Sequence, residues 1–294
     1  MFRTKCARMM WVGLLALPGW ALADPIVPSS PTTLWTQVDY PTLPPPDAAG
    51  DHGTNRTETD VVGDAADASF YTIFDDAGTP LTTDGNIGFR VRVSGDSQGA
   101  GFNNFLMVGL DFGEDATGDI DLFLGVNGRG RRDNVAIFRP GATANVSPTT
   151  TSLLTPAAQR YPQDSDNYAF SSMNGTIDPG VLTTDFGSDG TDRFISFVVP
   201  FDAIVTEMFA LNMTIDENSK VRYVVGTGTR PTLLDQDLSG TTAGWSDPRS
   251  WDELGTSSFV YLLRGTRAPE PGTATLVCIG LLLLSARRRA GGRR

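Results

Sequence analysis

The sequence predicts an all-β fold, an antiparallel β-sandwich of jelly-roll-like size, and three observations carry that expectation. The chain of 294 residues is rich in turn formers, with 32 Gly and 19 Pro. Of its 34 acidic residues 28 are Asp, whose short side chain competes for backbone groups in helices and suits turns. From Val61 onward the apolar residues recur with a period of two or run continuously over strand lengths, not with the 3.6-residue period of a helix.

The elements follow in order. Residues 24–60 are rich in Pro, Thr, Ser and Asp and are expected as an extended or loop segment, with Trp35 and Tyr40 docking on the body through a first edge strand. SFYTIF (69–74) begins the strand series of a body spanning residues 61–267. In NIGFRVRVS (86–94), Ile87, Phe89, Val91 and Val93 alternate with Arg90 and Arg92, the pattern of a half-buried strand. NNFLMVGLDF (103–112) and DIDLFLGV (119–126) are apolar on both faces, as central strands are. NVAIF (134–138), RFISFVVPF (193–201), MFALNMTI (208–215), KVRYVVGTG (220–228) and SFVYLLR (258–264) continue the series. PGATANVSPTTTSLLTPAAQ (140–159) is expected as a long surface loop. One short helix is expected in SDPRSWDELG, capped by Asp247 or Ser246, with Pro248 in its first turn and Gly255 at its end. PFDAIVTEMF adds at most a turn, because Val205 and Thr206 weaken it.

Charge and cysteine usage exclude several functions. The net charge is −11, yet eight of the 23 basic residues sit at the two ends, which leaves −19 between residues 24 and 286. So acidic a body repels a phosphate backbone, which argues against nucleic-acid binding. Cys6 and Cys278 both lie in the terminal segments, so the body forms no internal disulfide and offers no thiolate to zinc.

The termini read as addresses. MFRTKCARMM is a basic start, WVGLLALPGW a short apolar stretch, and Ala21-Leu22-Ala23 a small-x-small cleavage site, so residues 1–23 are expected as a secretory signal peptide. At the other end, residues 268–294 carry Pro269-Glu270-Pro271, an apolar run from Thr273 to Ala286 and the basic tail Arg287-Arg288-Arg289. Fourteen helical residues span about 21 Å against a hydrocarbon core of roughly 30 Å, short for a lasting anchor. The arginines hold that end in the cytoplasm and the body outside.

This tripartite ending resembles the PEP-CTERM sorting signal of Gram-negative bacteria. The resemblance covers residues 268–294 alone, and the body offers no motif to match. It implies a short transmembrane sorting helix, cleaved near Pro269, Glu270 and Pro271 by an integral-membrane cysteine protease, the exosortase. The implied route is export, a transient stay in the inner membrane, then the cell surface or the extracellular space. Members are frequently tied to exopolysaccharide and biofilm matrices.

Chemistry in the body is sparser. GDSQG (95–99) meets the G-x-S-x-G pattern, but another strand follows where a nucleophile elbow needs a helix. The one histidine, His52, lies upstream rather than after the serine, so a Gly-rich hairpin turn is the reading. Two acidic loops crowd carboxylates around glycines: Asp111, Asp115, Asp119 and Asp121 in one, and Asp185, Asp189 and Asp192 in the other. Ca²⁺ takes oxygen ligands of this kind, whereas turn capping on an acidic surface explains the same residues without a metal and is favoured. No other cofactor is expected. The expected function is a non-catalytic binding or structural module associated with extracellular polysaccharide. The alternative is a secreted carbohydrate-active hydrolase using an acidic pair, since such pairs need no fixed spacing. Its acids would come from Glu58, Glu114, Glu207, Glu217 and Glu253, with Trp35, Trp245, Trp251 or Tyr168 against sugar rings, positions that core and rim residues also fill.

Overall fold

The computed structural model describes residues 26–41, 47–53, 56–64, 67–76, 78, 81–96, 101–112, 119–129, 133–172, 186, 192–230, 233–240 and 246–265. The signal-peptide stretch, the GDSQG serine and residues 266–294 lie outside them. Among the described residues, no helix is long and apolar enough to cross a membrane.

Two antiparallel sheets face each other across a shared core. The first is built from β1 (Thr36–Gln37), β2 (Phe70–Asp75), β3 (Asn86–Val93), β8 (Tyr168–Ser172) and β9 (Arg193–Pro200), in the order β1-β2-β3-β9-β8. The second holds β4 (Phe105–Asp111), β5 (Leu122–Asn127), β6 (Asn134–Phe138), β7 (Gln159–Pro162), β10 (Lys220–Gly228) and β11 (Asp237–Leu238). Its order is β11-β10-β4-β5-β6-β7, and β12 (Tyr261–Leu262) also pairs with β10. Pairing β3 with β9, and β4 with β10, brings chain ends more than a hundred residues apart into register, Phe89 opposite Phe197 and Val108 opposite Val225.

Side-chain alternation places one face of each strand in the core. Ile87, Phe89, Val91 and Val93 meet Leu106, Val108, Leu110, Leu122 and Leu124 from the other sheet. Phe89 lies 5.3 Å from Phe197 and 6.0 Å from Tyr223, ring centre to ring centre, and Phe70 lies 5.6 Å from Tyr223. These offset and edge contacts add about 0.5–1.5 kcal/mol each beyond burial. The outer face of β4–β6 is apolar as well: Phe105, Met107, Phe123, Ala136 and Phe138 pack under Trp251, Leu234 and Leu238. Gly125 lets neighbouring backbone approach, since a Cβ there would sit 2.2 Å from the Leu106 carbonyl oxygen.

Several expectations need correction. The strand expected at 208–215 is absent. A ten-residue helix, α1 (Phe201–Ala210), occupies its first residues and turns and loop the rest. Phe201, Ile204 and Met208 are buried at helical spacing, and that packing outweighs the β-branched Val205 and Thr206. Thr206 also donates its hydroxyl to the Asp202 carbonyl, 2.8 Å away. The second helix, α2 (Trp251–Leu254), begins later than expected because Ser250 and Glu253 form the capping box, while Asp247 is held by Arg249. Gly255 ends it at φ 75°, as expected. The long loop 140–159 reaches into β7 at Gln159 and contains a 3₁₀ turn at Pro148–Thr150.

The strand β3 is not half-buried. Arg90 and Arg92 have no exposed surface, because a covering layer lies over the face they occupy. Arg90 donates to Thr32 Oγ1, the Pro28 and Ser30 carbonyls and Ser196 Oγ, and its guanidinium lies 4.3 Å from the Trp35 ring. Arg92 donates to both Asp192 Oδ2, at 2.6 and 2.7 Å, and the Asp67 carbonyl, and lies 4.5 Å from the Phe186 ring. A guanidinium tolerates burial when its fork is satisfied and its plane is stacked. Thus the described residues 26–41 are part of the packed structure, with Trp35, Val38 and Tyr40 all buried.

Candidate metal centre

Among the described residues of the two acidic loops, Asp111 and Asp192 pair with arginines and Asp121 with a backbone amide. Asp111, at the end of β4, accepts from Arg222 Nη2 at 2.7 Å and Nε at 3.1 Å, and Arg222 also bonds Asp252. Asp121 accepts from the Phe112 amide at 2.8 Å, and Asp119 lies exposed beside it. Asp192 is ion-paired with Arg92 and accepts from the Phe186 amide. Asp111 ends β4 of the second sheet and Asp192 precedes β9 of the first, and each is paired with a guanidinium. Asp115, Asp185 and Asp189 lie outside the described residues, as do Ala21, Ala23, Pro269, Glu270, Pro271, Arg287, Arg288 and Arg289.

The structure gathers carboxylates elsewhere. Asp47, Asp51 and Asp237 each place a carboxylate oxygen within 4.8 Å of the others. Asp237 stands on β11, opposite Thr227 of β10, where its Oδ1 accepts the Leu238 amide at 2.8 Å and its Oδ2 the Val61 amide at 2.7 Å. Asp47 is set by an antiparallel bridge to Gly63. Gly63 is required there because a Cβ would fall 2.3 Å from the Ser69 amide nitrogen. Asp51 follows Gly50, which turns the chain at φ 91°. Asp60 fixes that turn by accepting the Gly50 amide on both oxygens, at 2.9 and 3.0 Å. His52 Nδ1 stands 2.9 Å from Asp60 Oδ1, at ion-pair distance but off hydrogen-bond angle, and Asp60 raises the imidazole pKa.

The electrostatics of this cluster are unfavourable as it stands. Asp47 is 1% exposed, and neither of its oxygens has a hydrogen-bond donor in bonding geometry; the Gly240 backbone relieves it only in part. Both oxygens of Asp51 are likewise buried without a donor in full bonding geometry, and its own amide and the Asp237 carboxyl relieve it only in part. Loss of water, followed by repulsion from Asp237, Asp51 and Asp60, pushes the Asp47 carboxyl well above the usual carboxylate range. Asp237 is raised in the same way by burial, then by Asp51 and Asp60. Asp51 is pushed up to about 6, by burial and then by Asp60. Two unit charges about 4 Å apart repel by roughly 4 kcal/mol at an effective dielectric of ~20, so a third charge compounds the cost.

A hard divalent cation removes this penalty. Three carboxylates offer up to six oxygens, the number at which Ca²⁺ coordination begins. Mg²⁺ keeps most of its water and demands a tighter octahedron, which suits a buried all-carboxylate cage less well. Zinc prefers His and Cys, and here the nearby imidazole faces Asp60. Tyr40, whose buried hydroxyl lies within electrostatic reach of Asp47, covers the site beside Gly240: a Cβ on Gly240 would meet its ring at 2.6 Å.

Sequence reasoning missed this centre. Asp47 and Asp51 sit in a segment whose composition signals loop, and Asp237 is remote from both along the chain. The one local trace is the pair of aspartates four apart in DAAGDH, too common a pattern to act on. Of the glutamates weighed for catalysis, Glu114 lies outside the described residues, Glu217 accepts from the Asn218 side chain at 3.4 Å, and the other three have structural partners. Glu58 accepts from Asn104 at 2.7 Å, Glu207 from Arg139 and Gln159, and Glu253 closes the cap of α2. Trp251 donates its indole N–H to the Asn145 carbonyl and is fully buried, and Trp35 stacks on Arg90. Comparison of the chain with family models, with curated proteins and with solved structures finds no match.

Proposed function

We propose that this chain is an exported, non-catalytic β-sandwich that binds Ca²⁺ through Asp47, Asp51 and Asp237 and serves as a structural or binding module at the cell surface or in the extracellular matrix. The observation that carries the cation reading is Asp47, a buried carboxylate with both oxygens unpartnered among two others. Without a cation such a group is neutral only by holding a proton, and a bound cation lets it stay ionised. The sorting half rests on the sequence: the tripartite N-terminus, and the PEP-CTERM-like Pro269-Glu270-Pro271, apolar run and arginine tail. Its partners are then the export machinery and the exosortase, with extracellular polysaccharide as the ligand class. The jelly-roll-like reading of the sandwich belongs to the same proposal, supported by the non-sequential pairings of β3 with β9 and β10 with β4.

Calorimetric titration of the purified chain with CaCl₂ tests the first half: one Ca²⁺ per chain is expected, and no heat up to about 10 mM, ten times the weak end of extracellular calcium affinities, refutes it. A secreted reporter fused to residues 268–294 tests the second. Unchanged fate on replacing Pro269-Glu270-Pro271 with alanines refutes the sorting assignment.

A further inference from the structure

Residues 47–53 and 56–63 are attached to the sandwich in different ways. The second stretch is anchored by the core: Val61 and Val62 have no exposed surface, Glu58 bonds Asn104, and Thr59 accepts from Thr227 Oγ1 at 2.6 Å. Val62 donates to the Arg92 carbonyl and Ser94 to the Asp60 carbonyl, which extends the β3 edge. The first stretch has no large apolar side chain. Asp47, Ala48, Ala49, Gly50, Asp51, His52 and Gly53 bring two acids, two alanines, two glycines and a histidine. Its ties include the long bridge between Asp47 and Gly63 (3.3 and 3.4 Å), the Gly50 amide on Asp60, the Gly53 amide on the Gln236 carbonyl at 2.7 Å, the approach of His52 to Asp60, and the partial relief that the Gly240 backbone gives Asp47 and that Asp237 gives Asp51. Against these ties stands the repulsion of Asp47 and Asp51 from Asp237 and Asp60. A segment held by few hydrogen bonds and no buried large apolar side chain opens at low free energy.

We infer that the cation acts as a latch, joining the 47–53 segment to β11, so that this segment docks when Ca²⁺ is bound and opens when it is removed while both sheets stay folded. Two of the three carboxylates travel with the segment and the third is fixed on the sheet, so the ion bridges a mobile part to a rigid one. Opening separates the like charges and returns Asp47 and Asp51 to water, which is why removing the ion favours it. This inference rests on the Ca²⁺ assignment proposed above and adds what binding does to the fold.

Amide hydrogen exchange of the full chain, in about 10 mM CaCl₂ and in EDTA, tests it. If the open form does not bind, protection of the segment increases by 1 + [L]/Kd. With a Kd of roughly 10⁻⁴–10⁻³ M, typical of extracellular calcium modules, the Gly50 and Gly53 amides exchange about 10- to 100-fold more slowly with calcium. In EDTA the Gly50 and Gly53 amides should exchange well ahead of Val62 and the β4–β5 amides, which report global unfolding and stay the slower set in both conditions. Asp51→Asn, which removes a ligand from the less buried carboxylate, should leave Gly53 exchanging at the EDTA rate in both conditions. Calcium binding by calorimetry with no change at Gly50 and Gly53, or with Gly50 and Gly53 exchanging in EDTA no faster than the β4–β5 amides, overturns the latch and leaves the site. Absence of calcium binding overturns the site and the latch together.

Discussion

Replacing Asp47 with Asn is the most informative single perturbation, because the two side chains have nearly the same shape and differ in charge. With about 10 mM Ca²⁺ and a Kd of roughly 10⁻⁴–10⁻³ M, binding to the folded state stabilises by RT ln(1 + [L]/Kd), about 1.4–2.7 kcal/mol. In a domain of this size 1 kcal/mol moves Tm by about 2–4 °C, so calcium should raise the wild-type Tm by about 3–11 °C. Asp47→Asn should abolish that rise, since it removes the most buried carboxylate of the three. In EDTA the variant should melt at or above the wild-type temperature, because a buried charge repelled by Asp237, Asp51 and Asp60 has gone. Thermal denaturation followed by circular dichroism, in calcium and in EDTA, gives all four values. A wild type without a calcium response, or a variant that keeps one, refutes the reasoning.

Three further predictions follow from the same geometry. Without metal, Asp47, Asp51 and Asp237 bind protons more tightly folded than unfolded, so their contribution to stability falls as pH rises above the usual carboxylate range, through about 6 for Asp51. In EDTA the Tm advantage of Asp47→Asn should shrink between pH 8 and pH 5, and a constant difference would contradict the raised carboxyl. Arg92→Met should cost roughly 3–5 kcal/mol in urea denaturation by stranding the buried Asp192, and adding Asp192→Leu should recover most of it; single and double variants of equal stability would show the pair to be unimportant. Gly125→Ala should destabilise by about 1–3 kcal/mol or more, since its Cβ would press on the Leu106 carbonyl and the Met107 sulfur at the centre of the second sheet. A neutral result would mean that β4 and β5 shift apart freely.

The strands were legible where apolar residues alternate or run unbroken: β2 to β6, β9 and β10 stand close to the stretches read from periodicity. β7 and β8 were missed because QRYP and YAFSS are short and only partly buried, so no apolar pattern marks them. α1 was misjudged in part because Val205, Thr206 and the apolar run after Met208 favour a strand locally, while burial of Phe201, Ile204 and Met208 favours the helix. Arg90 and Arg92 were expected on a wet face, since a strand pattern records which residues alternate and not what later covers them. The metal centre was illegible for a related reason: its three carboxylates come from two segments brought together only by the β10–β11 pairing and the Asp47–Gly63 bridge.

By itself the sequence determined the all-β class, the acidic body without cysteine, and the two terminal patterns that suggest export, because composition, alternation and terminal charge act locally along the chain. Only the tertiary structure decided which aspartates are neutralised by arginines and which are left facing one another. That distinction depends on dielectric and distance, and both are set by packing between residues far apart in sequence.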